Sequence, residues 1–312
     1  MIYSHIKGTG GYLPKRIVPN TELETKIETT HEWIVERTGI KQRHIANPEE
    51  TTVFMGVEAA KKALESAGIK PQEIDMVIVA TCTPDIIFPS TACLIQQALD
   101  IPPCIAFDVQ AVCSGFIYAL SVADQFVRTG AAKRPLVIGS EVMSRIIDWK
   151  DRRTCILFGD GAGALVLEAN SSPGILSSAI SADGRYKDIL YLNSSPGSYM
   201  QMQGNALFRL AVNMLDQIAN KVLSEHHLSV SDIDWLVPHQ ANIRIIQAMA
   251  EKLGLPMEKV VLTLGEQGNT SAASIPLALD VAIREGKIQR GQRLLFEAIG
   301  GGLTWGTALV NY

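Results

Sequence analysis

The strongest constraint on the fold is that the chain repeats itself once. Three pairs of segments match: "EIDMVIVATC" (73–82) with "DIDWLVPHQA" (232–241), "FGDGAGALVLEA" (158–169) with "IGGGLTWGTALVNY" (299–312), and the helical stretches ending "RTG" (128–130) and "REG" (284–286). Two similar halves, each closing on a glycine-rich hairpin, indicate an internal duplication. Such halves commonly pack about a pseudo-twofold axis, which would bring equivalent helix N-termini together near the centre.

Short apolar runs alternate with amphipathic helical stretches along the chain. Four runs have the Val, Ile and Leu content of buried strands: "DMVIVA" (75–80), "CIAFDV" (104–109), "PLVIGS" (135–140) and "ALVLEA" (164–169). Two stretches between them carry apolar residues at helical spacing and end at Gly68 and Gly130. The alternation predicts an α/β fold. The run "GDGAGA" (159–164) precedes a strand instead of opening a helix, so it indicates a tight hairpin and not a dinucleotide site.

Composition and charge argue against several classes of protein. Of 312 residues, 47% are hydrophobic and 19% are charged, so the chain can bury a large core and is not disordered. No apolar run approaches the roughly 20 residues that cross a bilayer, and the N-terminal "MIYSHIKGTGGYLP" lacks the regions of a signal peptide. The net charge of −4 gives no reason to expect a nucleic acid partner. A cytoplasmic protein with no membrane partner is therefore expected.

The five cysteines argue against a disulfide framework or a zinc site, because their number is odd and none forms a CxxC pair. Four of them are interpreted as small buried hydrophobic residues. Cys113 differs, because "FDVQAVCSGF" places it where a strand passes through a short loop into a helix. The positive end of a helix dipole lowers the pKa of a thiol, which would make Cys113 a nucleophile. The alternative is a small residue required for tight helix packing.

Two more polar groups stand at similar junctions. His239, in "DWLVPHQAN" (234–242), follows an apolar strand and precedes a helix, where α/β enzymes tend to place working groups, although a surface histidine could also lie there. Asn269, in "GEQGNTSAASIPLAL", pairs with Cys113 at an offset of 156 when both are counted back from the matching glycines; its alternative is a helix cap. A thiol, an imidazole and an amide at three such junctions form a much rarer combination than any one alone.

The motifs "AVCSGF", "VPHQANIRII", "GNTSAASIPLAL" and "GGGLTWGTALV", in this order, resemble the β-ketoacyl-acyl carrier protein synthase III family of the thiolase superfamily. The resemblance runs from "GTGGYLP" through "HEWIVERTGI" to the last strand. It implies a thiolase-like α/β fold, with duplicated αβαβα layered halves related by a pseudo-twofold axis. The predicted halves are residues 1–171, which carry the nucleophile, and residues 172–312, which carry the histidine and the asparagine.

The resemblance also implies an activity, the decarboxylative condensation of acetyl-CoA with malonyl-acyl carrier protein that starts type II fatty acid synthesis. Cys113 would hold the acyl group covalently, and backbone N–H groups of Cys113 and Gly301 would form the oxyanion hole. His239 and Asn269 would donate hydrogen bonds to the enolate formed when malonyl loses CO₂. The substrates are coenzyme A thioesters, and neither a metal nor a redox cofactor is required.

Family contacts with coenzyme A carry over residue by residue. Trp33 and Arg152 match the residues that flank its adenine, where an indole and a guanidinium can stack on a purine. Further matching positions, expected at its phosphates or its pantetheine arm, are Arg37, Arg209, Arg244, Gly204 and Asn242. Many relatives have lysine at the position of Arg209. Without the resemblance, these arginines would be interpreted as solvated surface residues.

The carrier protein and a second subunit are the expected macromolecular partners. Acyl carrier proteins are acidic, so docking on this net negative chain would depend on a local basic patch, for which Arg244 and Lys252 on one helix are candidates. Phe88 matches a position that crosses a homodimer interface to close the neighbour's acyl pocket; its alternative is an ordinary core residue. Further candidates for lining that pocket are Met143, Phe158, Cys82 and Ile156.

Three other hypotheses compete with this function. A thiolase that condenses without decarboxylation would have a cysteine in place of Asn269, and a non-catalytic binding subunit would lack Cys113. A synthase III relative that serves a specialised pathway with another primer stays open, because its signature would lie in the acyl pocket.

Overall fold

The computed structural model describes residues 2–312, and its strands form one main sheet in each half of the chain. The first half contains β1 (Tyr3–Tyr12), β2 (Arg16–Pro19), α1 (Asn20–Glu24), α2 (His31–Thr38), β3 (Gln42–Ile45), α3 (Thr52–Ala67), β4 (Met76–Ala80), α4 (Thr91–Ala98), β5 (Ile105–Val109), α5 (Gly115–Arg128), β6 (Pro135–Glu141), α6 (Arg152–Cys155) and β7 (Gly161–Asn170). The second half contains β8 (Ile175–Ala182), β9 (Leu190–Tyr191), β10 (Gln201–Met202), α7 (Gly204–Glu225), β11 (Trp235–Pro238), α8 (Ile243–Leu253), α9 (Leu264–Gln267), α10 (Ser274–Arg284), β12 (Arg293–Gly300) and β13 (Thr304–Asn311). Within residues 2–312, no helix is both long enough and apolar enough to cross a membrane.

The two main sheets share one strand order. The first has the order β1-β7-β6-β4-β5 and the second β8-β13-β12-β11. In the first sheet β4 runs parallel to both β5 and β6, and in the second sheet β11 runs parallel to β12. The pairs β6–β7, β7–β1, β12–β13 and β13–β8 are antiparallel. The second sheet has no full counterpart of β5, only a bridge between Leu236 and Val260. The predicted α/β duplication is confirmed. We propose that the halves are residues 1–171 and 172–312, since the chain passes from one sheet to the other between Asn170 and Ile175.

Five layers alternate as αβαβα. On β4, Met76 and Ile78 face inwards and pack with α5 and α10, which lie between the two sheets. Val77 and Val79 point to the opposite side and pack with α3 and α4. The outer face of the second sheet is covered by α7 and α8. This alternation of side chains along a strand explains why the strands are apolar throughout, since both faces are buried.

Equivalent positions in the two halves are 159 residues apart. This offset relates Met76 to Trp235 at the strand starts, and Val112 to Ser271, which both open a 3-10 turn with a positive φ, +47° and +51°. The predicted pairing of Cys113 with Asn269 is therefore wrong. The helix α5 is longer than α10 by the three residues at its end, so counting back from the helix ends misaligns the N-termini. The structural equivalent of Cys113 is Ala272.

Only the second half closes on a tight hairpin. Residues 301–303 join β12 to β13, whereas residues 142–160, which include α6, separate β6 from β7. The predicted hairpin at "GDGAGA" is wrong, because Gly161 already pairs with Glu141 inside the sheet. The glycines allow close packing instead: a Cβ at Gly163 would lie 2.7 Å from the Leu277 nitrogen of α10.

Candidate active site

A cavity of about 730 Å³ lies where the two halves meet, and the three candidate catalytic residues line it. Cys113 comes from the turn before α5, His239 from the end of β11, and Asn269 from the segment before α10. Each is 5% exposed. The cavity is also lined by most of the predicted substrate contacts, namely Trp33, Arg37, Arg152, Phe158, Gly204, Arg209, Asn242 and Arg244. Residues that are far apart in the sequence thus line a single cavity.

Cys113 sits in a tight turn that requires glycine on the opposing strand. The turn opens with Val112 in the left-handed region, and Ser114 N–H closes it on the Ala111 carbonyl at 3.1 Å. A Cβ at Gly300 would lie 2.8 Å from both the Cys113 nitrogen and the Ala111 oxygen. A larger residue would therefore push β12 away from the nucleophile's backbone. Gly301 follows directly and approaches Val112.

The predicted lowering of the Cys113 pKa is wrong. The pKa of the Cys113 thiol is raised to about 12, chiefly by burial and to a smaller extent by the nearby Glu141 carboxylate. Hydrogen bonds from the Ser271 hydroxyl and the Cys113 backbone act in the opposite direction but do not outweigh burial. The thiol is thus protonated at neutral pH until another group takes its proton.

His239 is held as a neutral imidazole. Its backbone N–H donates to the Glu297 carbonyl at 2.7 Å, and its Nδ1 lies 2.6 Å from Ser274 Oγ. Ser274 Oγ also accepts the Gln240 N–H, so its own hydrogen is available for Nδ1, which leaves the ring proton on Nε2. Burial lowers the pKa of His239 to about 3. The ring can therefore donate a hydrogen bond from Nε2 without carrying a charge.

The Asn269 side chain is oriented by its neighbour. Its Oδ1 accepts the Ser271 N–H at 2.9 Å, its backbone N–H donates to the Leu157 carbonyl, and its carbonyl accepts the Gly159 N–H. Since the oxygen is engaged with a donor, the amide's N–H₂ group is the part left for the cavity. Both candidate donors, His239 and Asn269, thus present an N–H group to the cavity.

Aromatic and basic groups gather at one end of the cavity. The Trp33 ring contacts two guanidinium groups, with its centroid 4.8 Å from Arg37 Cζ and 4.6 Å from Arg152 Cζ. A purine stacked between Trp33 and Arg152 needs about 7 Å between them, two contacts of about 3.5 Å. Arg152 would have to move to admit an adenine there.

The predicted phosphate and docking residues differ in their surroundings. Arg209, on α7, and Arg244, on α8, both line the cavity. Lys252 lies outside it, and its Nζ is 3.7 Å from Asp216 of α7, so its charge is partly compensated. Asn242 caps α8 by accepting the Arg244 N–H at 2.8 Å, and its amide donates to the Arg37 carbonyl.

Candidates for the acyl pocket lie in three different environments. Phe158 and Ile156 line the cavity. Met143 is fully buried in the cluster that adjoins them, and Cys82 lies at the edge of that cluster. Phe88 does not line the cavity: it is 84% exposed, beside Ile87 at 92%. Its interpretation as an ordinary core residue is wrong.

Sequence analysis did not identify Ser274, Ser271 or Glu141 as parts of the site. The two serines fall within "GNTSAASIPLAL", but only the folded chain shows that Ser274 orients His239 and that Ser271 orients Asn269. Glu141 is the last residue of an otherwise mostly apolar strand, β6. A glutamate is rarely buried without partners, so its position in the sequence could have indicated a functional role. Within residues 2–312, no three His, Cys, Asp or Glu side chains are grouped to hold a metal ion.

Comparison with known proteins gives consistent matches. The family described as 3-oxoacyl-(acyl-carrier-protein) synthase III matches residues 107–184, and the description for its C-terminal part matches residues 223–312. A β-ketoacyl-(acyl-carrier-protein) synthase III of Methylococcus capsulatus is 57% identical over 318 residues, with 99% of both chains covered. The crystal structure of a 3-oxoacyl-(acyl-carrier-protein) synthase III from Aquifex aeolicus has a TM-score of 0.97 and 48% identity, covering 99% of this chain and 100% of that one. The priming β-ketosynthase of the R1128 polyketide pathway has a TM-score of 0.95 and 39% identity, with 99% and 96% covered.

Proposed function

Because the chain belongs to the β-ketoacyl-acyl carrier protein synthase III family, we propose that Cys113, His239 and Asn269 carry out its decarboxylative condensation. The enzyme is an acyltransferase that condenses acetyl-CoA with malonyl-acyl carrier protein and so initiates fatty acid synthesis. The observation that carries the residue assignment is that these three side chains, from both halves of the chain, line one cavity.

In the first step the Cys113 sulfur attacks the carbonyl carbon of acetyl-CoA. The Cys113 thiol loses its proton to solvent, a C–S bond forms to Cys113, the C–S bond to coenzyme A breaks, and the coenzyme A thiolate takes up a proton from solvent in return. Backbone N–H groups of Cys113 and Gly301 would stabilise the negative oxygen of the tetrahedral intermediate. The close approach of Gly300 to the Cys113 nitrogen supports an arrangement in which both N–H groups face one oxygen.

In the second step malonyl-acyl carrier protein enters the same cavity and loses CO₂. The electron pair of the broken C–C bond becomes an enolate, whose oxygen accepts hydrogen bonds from His239 Nε2–H and the Asn269 amide. The enolate carbon then attacks the acyl-Cys113 thioester and releases acetoacetyl-acyl carrier protein. A neutral imidazole and an untitratable amide suit this task, because both stay donors near neutral pH. No step transfers electrons to or from an external acceptor, so no redox cofactor is needed.

Coenzyme A would enter at the end of the cavity that carries Trp33. We assign the adenine to Trp33 and Arg152, and the phosphates and the pantetheine arm to a wall formed by Arg37, Arg209, Arg244, Gly204 and Asn242. The positive charge of that wall supports the assignment, since coenzyme A is polyanionic. Phe158 and Met143 would limit the acyl chain at the opposite end.

Covalent loading tests the residue assignment directly. Purified protein is incubated with a set of acyl-CoAs of different length and branching, and the acylated peptide is identified by mass spectrometry. We expect acetyl on the Cys113 peptide of the wild type. Acetyl on the Cys82 or Cys155 peptide in a Cys113→Ala variant would contradict the assignment.

A specialised pathway with another primer is the second candidate. The 39% identity to a polyketide-priming synthase supports this candidate. The same mass-spectrometric experiment decides between the two, because a clear preference for a longer or branched acyl-CoA over acetyl-CoA would favour the specialised primer.

We further propose a cytoplasmic homodimer. Ile87 and Phe88 expose large apolar side chains in adjacent positions, and a contiguous apolar patch of this kind marks an interaction site. In the dimer Phe88 would close the partner subunit's acyl pocket. Analytical ultracentrifugation should show a dimer at micromolar concentration. A monomer with full activity at that concentration would contradict the proposed homodimer.

A further inference from the structure

We propose that the hydroxyl groups of Ser114 and Thr304 together position the oxyanion hole, by holding the backbone around Cys113 and the backbone of Gly301 in a fixed relation. The proposal rests on the assignment of the Cys113 and Gly301 N–H groups as that hole, and it adds the side chains that keep the two donors aligned. Neither Ser114 nor Thr304 is among the residues that line the cavity. Both are therefore positioning residues and not catalytic residues.

The two oxyanion donors come from different halves of the chain. Cys113 lies in the turn before α5, and Gly301 lies in the turn between β12 and β13. An oxyanion hole works when each donor nitrogen is about 2.7–3.1 Å from the place that the negative oxygen will take. Because the two turns are far apart in the sequence, the distance between the donors depends on contacts between the turns.

The Thr304 hydroxyl lies among hydrogen-bonding groups of both turns. Its Oγ1 is 3.0 Å from the Gly301 carbonyl oxygen, 3.1 Å from the Ala111 carbonyl oxygen and 2.8 Å from Ser114 Oγ. Ser114 Oγ is also 2.8 Å from the Ala111 carbonyl oxygen, which accepts the Ser114 N–H at 3.1 Å. The two hydroxyls thus connect the residues on either side of the nucleophile's turn to the Gly301 turn.

The hydrogens of the two hydroxyls are sufficient for a continuous chain of hydrogen bonds. Each hydroxyl has one hydrogen to donate and can also accept. When Thr304 donates to the Gly301 carbonyl, its oxygen is free to accept the Ser114 hydrogen, and the chain crosses from the first half to the second. Ser114 is fully buried, so water does not compete for its hydroxyl, and hydrogen bonds are stronger in such an interior.

The backbone of the Gly301 turn depends on outside contacts. Residues 300–302 are three consecutive glycines, the residue type with the greatest backbone freedom. A Cβ at Gly300 would lie 3.0 Å from the Ser114 nitrogen, so the end of β12 approaches the nucleophile's turn with no side chain between them. A Cβ at Gly302 would lie 3.1 Å from Thr304 Cγ2. Thr304 therefore packs its methyl group against its own turn and directs its hydroxyl towards the other one.

Three rates measured on Thr304→Val test the role of the hydroxyl, because valine replaces it with a methyl group of similar size. We expect the maximal rate of acetyl loading on Cys113 to fall by about tenfold to a hundredfold, as a misplaced group in an active site does. The acetyl-CoA concentration for half the maximal rate should not change. Malonyl decarboxylation, which is assigned to His239 and Asn269, should keep its wild-type rate. Alkylation of Cys113 by iodoacetamide should also be unchanged, because it displaces iodide and forms no oxyanion.

Two further variants test whether the hydroxyls act as one chain. Ser114→Ala should slow acetyl loading in the same selective way. The double variant should be no slower than Thr304→Val alone, since residues of one hydrogen-bond network are not additive. Thr304→Ser keeps the hydroxyl and should recover most of the loading rate. Full additivity in the double variant would contradict a single chain.

Ser121 and Ser178 provide the matched control. Their hydroxyl oxygens are 2.9 Å apart and also join the two halves, from α5 to β8, but neither residue is among those that line the cavity. Ser121→Ala and Ser178→Ala should keep the wild-type rates of loading, decarboxylation and alkylation. A loss of loading in these variants equal to that in Thr304→Val would overturn the proposal.

Equal losses of loading and decarboxylation in Thr304→Val would also overturn it, because the hydroxyl would then support the cavity as a whole. Wild-type loading in both Thr304→Val and Ser114→Ala would do the same. If Thr304→Val does not fold, Ser114→Ala decides by the same three rates. A failure of the proposed function gives a different result, since the wild type would then load no acetyl on Cys113 although iodoacetamide still alkylates it.

Discussion

The two halves have the same strand order but carry different chemical groups at equivalent positions. At the offset of 159, Cys113 corresponds to Ala272, Ala80 to His239, and Glu141 to Gly300. The backbone of both halves therefore forms the same kinds of strand-to-helix junction, but the side chains at these junctions differ. In the proposed mechanism the first half supplies the nucleophile and the second half supplies the hydrogen-bond donors, so the reaction would be divided between two similar frames.

Two fully buried carboxylates, one in each half, also differ in their hydrogen-bond partners. Glu141, at the end of β6, accepts hydrogen bonds from five groups, while Glu297, on β12, has no partner for either oxygen within residues 2–312. Burial raises the pKa of both. Donors around Glu141 favour its charged form, and their absence around Glu297 favours the neutral acid. At equal burial, hydrogen-bond donors therefore oppose the rise in pKa at Glu141 but not at Glu297.

Moving the nucleophile between the halves should have the largest effect. Cys113→Ala should lower acetyl loading by at least about a thousandfold, as removal of a nucleophile does. The double variant Cys113→Ala with Ala272→Cys should not recover it, because the position equivalent to His239 is Ala80 and Ala272 is 1% exposed. Mass spectrometry of the loaded peptides measures both. Acetyl at position 272 would mean that the two halves are functionally interchangeable.

Removing a donor of the second half should separate the two half-reactions. His239→Ala or Asn269→Ala should slow malonyl decarboxylation by about a hundredfold to a thousandfold, the loss typical of one oxyanion donor. Acetyl loading of Cys113 should fall much less. Because the pKa of His239 is lowered to about 3, the decarboxylation rate should also show no step from this residue between pH 5 and 8.

His226→Ala, at the end of α7, serves as the control for that comparison. Stopped assays with labelled malonyl-acyl carrier protein and acetyl-CoA measure the two half-reactions. Equal losses in both would indicate that His239 acts as the base for Cys113, which would contradict the division between the halves.

The first half is also expected to recognise the adenine. Trp33→Ala should raise the KM for acetyl-CoA by about tenfold with little change in kcat, since stacking one base on an aromatic ring is worth about 1–3 kcal/mol. Acetyl-pantetheine has no adenine and should react equally well with both proteins. A similar loss with acetyl-pantetheine would show that Trp33 supports the cavity wall instead.

Two basic residues of α8 should differ in their contribution to docking. Arg244→Glu should lower kcat/KM for malonyl-acyl carrier protein by about fivefold at low salt, near the upper limit for an exposed ion pair. Lys252→Glu should have a smaller effect, because Asp216 already compensates Lys252. Added salt should weaken the wild type in the same direction as Arg244→Glu. Unchanged kinetics and salt dependence in both variants would place the docking patch elsewhere; malonyl-CoA provides the comparison without a carrier protein.

The smallest effect should appear in stability. A glutamate whose pKa is raised in the folded state holds a proton that the unfolded chain releases above pH 4.5, so its contribution to stability falls as pH rises. Glu297→Gln removes this dependence, and its Tm relative to the wild type should increase from pH 5 to pH 8, by about 2 °C for each kcal/mol. Differential scanning calorimetry at both values checks it. A constant difference would mean that Glu297 does not titrate between the two states.

Local patterns in the sequence determined the strands, most helix ends and the three candidate catalytic residues. A buried strand is a short apolar run, and a polar residue directly after it stands out whatever the rest of the chain does. The order of these motifs also identified the family. Even so, the offset between the halves was misjudged, because the sequence does not show that α5 extends further than α10 at one end.

Only the tertiary structure decided the electrostatics of the site and the exposure of particular side chains. Burial of Cys113 outweighs the helix terminus and raises its pKa, and Glu141 reaches Ser271 across 130 positions of sequence. Arg43, charged and fully buried, is accommodated by the carbonyls of Val18 and Ile156. Phe88, which resembles a core residue in its sequence, is exposed. Helix ends and apolar periods are properties of neighbouring residues, whereas desolvation and hydrogen-bond partners depend on which distant segments the fold brings together.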